Sequence, residues 1–83
     1  MSDNVLSFYD GAVTIDPDVC NGKPTLRGQR ITVQSILEFL SAGDSVETIL
    51  ENYPFLRSED IQIALRFASE MMGRKYTLKK TAA

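Results

Sequence analysis

The chain has 83 residues with a net charge of -2, 43% of them hydrophobic and 24% charged, with a single cysteine and no histidine. That length holds one domain, burying only ~60–65% of the surface its unfolded form exposes. The composition excludes a disordered segment, a collagen and a disulfide scaffold, and the lack of histidine and of a second cysteine argues against a bound metal. Self-association or a partner is therefore expected as added support.

Charge runs in blocks. Asp3, Asp10, Asp16 and Asp18 stand without a base in residues 1–20, and Lys23, Arg27 and Arg30 without an acid in residues 21–37. Residues 38–60 are acidic apart from Arg57, and residues 61–83 are basic apart from Glu70. Such blocks meet phosphate or an acidic protein surface, or pair with each other within the chain or across a dimer.

In chain order, the apolar residues around Asp10-Gly11 predict a short hairpin with a type I′ turn, Val13 and Ile15 sharing one face. Asp16 and Asp18 beside Pro17 read as turn formers. Pro17, Gly22, Pro24 and Gly28 exclude a helix over 16–30, and Arg27-Gly28-Gln29 predicts a second tight turn between Thr25-Leu26 and Arg30-Ile31. Cys20 is expected to pack rather than react.

Thr32 suits an N-cap for a helix over 33–42, with Val33, Ile36, Leu37 and Leu40 on its apolar face and Gly43 as its stop. Ser45 caps a second, with Val46, Ile49, Leu50 and Tyr53, ended by Pro54. Ser58 caps a third, with Glu59 and Asp60 in its first turn. Its expected apolar face is Ile61, Ala64, Leu65, Ala68 and Met72, its solvent face Gln62, Arg66, Ser69 and Glu70, and its stop Gly73. The aromatic residues ahead of the tail, Phe8, Tyr9, Phe39, Tyr53, Phe55 and Phe67, read as core or interface.

Three short helices are compatible with a helix-turn-helix unit, as they are with any small three-helix core. The expected architecture is thus mainly α, a three-helix domain (32–73) preceded by a short N-terminal β-hairpin or extended segment (1–31), with a flexible basic tail over 74–83. Residues with DNA-contacting chemistry are Arg57, Gln62 and Arg66 on the third helix, although Glu59 and Asp60 at its leading end repel phosphate. Lys23, Arg27 and Arg30, followed by Gln34 at a helix start, form the better electrostatic candidate; alternatively, Arg27 and Arg30 hold their loop onto acids of the following helices. No phosphate-binding glycine loop, metal cluster or nucleophile–base pair is present, so a non-enzyme without cofactor, metal or small-molecule substrate is expected. No apolar run approaches a membrane span and no charged-then-apolar leader opens the chain, so a cytoplasmic protein is expected.

The run from Cys20 to Ile31 (CNGKPTLRGQRI), with LENYPFL over 50–56 and IQIAL over 61–65, resembles a bacterial family, domain-of-unknown-function family 433. Its pattern is Gly-Lys-Pro, Arg-Gly-Thr-Arg and then three helices with Tyr-Pro between the last two. The matching residues are Gly22, Lys23, Pro24, Arg27, Gly28, Arg30 and Tyr53-Pro54, with Gln29 standing where the family has threonine. The resemblance implies a homeodomain-like fold and a VapB-type antitoxin: a homodimer or higher homo-oligomer that neutralises a PIN-like ribonuclease toxin and represses its operon by binding operator DNA. In that setting the basic tail, Arg74, Lys75, Tyr76, Lys79 and Lys80, is expected to dock at the toxin's carboxylate cluster. The alternative is a stand-alone dimeric transcription regulator without a toxin.

Overall fold

A computed structural model describes residues 4–74. β1 (Leu6–Phe8) and β2 (Val13–Ile15) pair antiparallel, with Phe8 opposite Val13, and β3 (Thr25–Leu26) adds to the far side of β2. The segment expected as a hairpin or extended piece is thus a three-stranded antiparallel sheet. Asp10 and Gly11 lie at φ +54° and +87° between Tyr9 C=O and the Ala12 N–H that donates to it at 3.1 Å, as a type I′ turn requires.

The second tight turn forms as well. Arg27 and Gly28 sit at φ +53° and +66°, with the Gln29 N–H on Leu26 C=O at 2.9 Å. A Cβ at Gly28 meets nothing within 4 Å, so the residue serves the backbone conformation rather than a close approach. The Arg27 N–H donates to Ala12 C=O at 2.9 Å, lacing the two turns together. Thr25 and Thr14 join across β2 and β3 with their hydroxyls 3.1 Å apart. Between these strands the Asp16 carboxylate accepts from the Asp18 N–H at 2.9 Å, the expected turn role. The helix-free stretch does contain one short 3-10 turn, Cys20–Gly22, with Cys20 half-buried.

α1 (Val33–Ser41) starts at Thr32, whose hydroxyl accepts the Ser35 N–H at 3.0 Å, and ends in a reverse turn in which Gly43 and Asp44 donate to Leu40 and Phe39. α2 (Val46–Asn52) is capped by Ser45 in the same way. α3 (Ser58–Met72) begins one residue earlier than its sequence suggests, because Arg57, and not Ser58, is the N-cap. Its N–H donates to Asp60 Oδ2 at 2.9 Å, so the carboxylate, rather than a serine hydroxyl, organises the first turn.

The three helices pack on one another pairwise. Val13, Leu26, Ile31, Val33, Ile36, Ile49, Leu56, Ile61, Ala64 and Phe67 form the core, which joins the sheet to all three helices. The inner face of α3 is rotated from the expected one: Phe67 is buried, whereas Leu65 and Met72 are exposed. The reason is the sheet, whose Phe8 packs on Phe67 and draws that edge of the helix inward. Phe39, Tyr53 and Phe55 form an aromatic chain beside α1 and α2, from which Phe55 stands out exposed.

Candidate functional site

The site begins with a turn and a helix start. The type I′ turn after β3 places Arg27 in the left-handed region, where its side chain reaches the first turn of α3. There Arg27 Nε donates to Asp60 Oδ1 at 2.7 Å, while the other carboxylate oxygen takes the Arg57 N–H. Asp60 is fully buried and Arg27 is 42% exposed along its side chain. A buried carboxylate is costly unless paired and hydrogen-bonded, and these two donors supply both.

This arrangement meets the loop-holding role for one of the two arginines. Arg27 does hold its loop onto an acid of a following helix, while Arg30 makes no ion pair among the described residues. It also removes one of the two charges that weighed against α3 as a phosphate-facing element, since Asp60 is paired within the fold and only Glu59 remains exposed. Asp60 is the residue the sequence reading missed. It looks like an exposed acid at a helix start; the available signal was its place at the third helical position before an apolar run.

Lys23 Nζ donates to Gln34 Oε1 at 3.3 Å, joining the residues before β3 to the first turn of α1. Two groupings therefore form, Lys23 with Gln34 and Arg27 with Arg57 through Asp60. Arg30, Arg57, Gln62 and Arg66 all face solvent. Arg66 lies 3.9 Å from Glu70 in an exposed pair of the kind that contributes ~0–1 kcal/mol. Of the proposed tail residues Arg74 is exposed; Lys75, Tyr76, Lys79 and Lys80 lie outside the described residues.

The hydroxyl of Tyr9 is buried beside the end of α3 with no hydrogen bond of good geometry. Desolvation, and then the adjacent Glu70 carboxylate, hold its pKa above the usual phenol value, with Arg66 opposing. No group of three acidic, cysteine or histidine side chains among the described residues is placed to hold a metal ion. No helix among them is long and apolar enough to cross a membrane.

Residues 13–68 match the model of a family described as protein of unknown function, DUF433. A relative called uncharacterized protein y4eO, from Sinorhizobium fredii, is 38% identical over 65 residues, which are 76% of this chain and 29% of that protein. A crystal structure of a DUF433 member from Anabaena variabilis superposes with a TM-score of 0.69 at 30% identity, covering 71% of this chain and 58% of the other. The chain thus spans under a third of the first relative and somewhat over half of the second.

Proposed function

The chain belongs to the DUF433 family, and on that premise we propose that it is the antitoxin of a type II toxin–antitoxin pair. It binds and neutralises a PIN-like ribonuclease and, as a homodimer, represses its own operon through a helix-turn-helix contact with DNA. In this reading α2 and α3, joined through residues 53–57, are the helix-turn-helix, within a homeodomain-like unit completed by α1. The protein acts in the cytoplasm and carries no catalytic step or cofactor of its own.

The observation that most supports the DNA contact is the Arg27–Asp60 link, which fastens a basic turn to the start of α3, whose Gln62 and Arg66 face solvent. Arg27, Arg30 and Arg57 then serve one strand of phosphates, with Gln62 and Arg66 further along α3 and Lys23 with Gln34 at the start of α1. The toxin contact is assigned to the residues after Gly73, Arg74, Lys75, Tyr76, Lys79 and Lys80, whose charge suits the carboxylate cluster in which such nucleases hold magnesium. The same Arg27–Asp60 link would also serve a stand-alone regulator, and a genetic experiment separates the two. An antitoxin gene is lost only together with its toxin, so a clean deletion in the native host should arrest growth unless a nuclease gene is inactivated as well. A deletion strain that grows normally and carries no second mutation contradicts the antitoxin reading and leaves the regulator.

A further inference from the structure

Asp60 is the one fully buried acid among the described residues, and Arg27 is the one side chain that neutralises it. Arg27 reaches it from a left-handed backbone conformation, φ +53°, that costs a residue with a side chain roughly 1–2 kcal/mol. Neutralising a carboxylate does not by itself call for such a conformation, nor for an arginine. A guanidinium, however, is a rigid plane with donors on more than one edge. Here only Nε is engaged, and Nη1 and Nη2, on a side chain 42% exposed, make no hydrogen bond among the described residues.

We propose that Asp60 is a positioning residue: it clamps Arg27 through Nε so that the free Nη edge is held ready for two oxygens of a nucleic-acid phosphate. The inference rests on the DNA-binding part of the proposed function and adds the residue that aims the contact. A planar pair of donors matches phosphate in a bidentate manner, and a side chain fixed beforehand loses less rotamer entropy on binding. The surroundings favour nucleic acid over an acidic protein. Arg30 is exposed three residues along the same turn, Arg57 is exposed at the residue that shares the Asp60 carboxylate, and Gln62 and Arg66 continue the exposed face of α3.

The test turns on a sign. Asp60→Asn removes a negative charge from a DNA-binding face, so bulk electrostatics predict unchanged or tighter binding. Loss of the clamp predicts the reverse. The full chain and its variants are titrated against a fluorescent duplex covering the DNA upstream of the coding sequence, over a salt series, with thermal unfolding recorded in parallel. Asp60→Asn and Arg27→Ala should each bind about tenfold more weakly, with the salt slope lower by about one, and the double variant should be no worse than Arg27→Ala. Should Asp60→Asn fail to fold, Arg27→Lys keeps the charge but not the planar fork, and it should weaken binding while the fold is kept. Binding by Asp60→Asn, or by Arg27→Lys if that variant is the one used, that equals or exceeds the wild type overturns the positioning role and leaves the DNA-binding reading standing. A wild-type chain that does not bind the duplex removes both. Variants that bind DNA normally but lose a co-purifying acidic protein also overturn the proposal, by giving the Arg27 edge to that protein.

Discussion

Phe8 of β1 meets Phe67 of α3 edge to face, with ring centroids 5.3 Å apart and planes inclined at 62°. Asp60, which receives Arg27, lies about two helical turns earlier on α3. The sheet is thereby fastened to the third helix at two points, one apolar and one ionic. Sheet, turn and helix then act as one unit, and side chains on the turn keep a fixed relation to those on α3.

The apolar fastening carries most of the stability. Phe67 is 5% exposed, so Phe67→Ala should cost about 3–5 kcal/mol, much of the ~5–15 kcal/mol that holds a typical domain together. Phe8 is only half-buried, and Phe8→Ala should cost clearly less. Urea unfolding of the two variants measures the difference, and equal losses would mean that the ring contact, rather than core burial, dominates.

Tyr9 gives the molecule an alkaline weakness. Its folded-state pKa is raised above the ordinary phenol value of 10.0, first by desolvation and then by Glu70, so the unfolded chain gives up the phenolic proton at lower pH than the folded one. Its contribution to stability is therefore whole below pH 10 and is lost as pH rises through the folded-state value. Because the hydroxyl is buried without a hydrogen bond of good geometry, Tyr9→Phe should be close to neutral at pH 7. Above pH 10 the variant should unfold at a higher temperature than the wild type; parallel loss of stability in both proteins would show that Tyr9 is not the group responsible.

How much of this was legible in the sequence follows from the range of each interaction. Thr32 and Ser45 announce their helices because a cap and its partner lie three residues apart, and both hydroxyls accept the expected N–H. Both turns were readable, Asp10-Gly11 as type I′ and Arg27-Gly28-Gln29 as a tight turn, since each carries a local signal. The inner face of α3 was only partly so. Of the expected stripe Ile61, Ala64, Leu65, Ala68 and Met72, Ile61 and Ala64 are buried but Leu65 and Met72 are exposed, and the burial of Phe67 instead is set by a strand nearly sixty residues away. Asp60 was misread for the same reason, because its partner is 33 residues distant and its own neighbours say only that a helix begins. Strand β3 coincides with the extended piece Thr25-Leu26 expected before the second turn, but two residues carry no periodicity, and its place beside β2 shows only in the pairing.

The proposed toxin contact lies in the segment after the third helix. A chain truncated after Gly73 keeps every core residue among those described and should retain its fold, yet lose inhibition of the nuclease. Circular dichroism checks the first expectation and an RNA-cleavage assay the second. Undiminished inhibition by the truncated chain would move the toxin contact onto the three-helix unit.

The partnership itself is tested most directly by affinity capture of the tagged full chain from its native host, with bound proteins identified and quantified by mass spectrometry. A PIN-like nuclease recovered in near-stoichiometric amount is the expected result. Recovery of the chain alone, or with itself only, would contradict the antitoxin role.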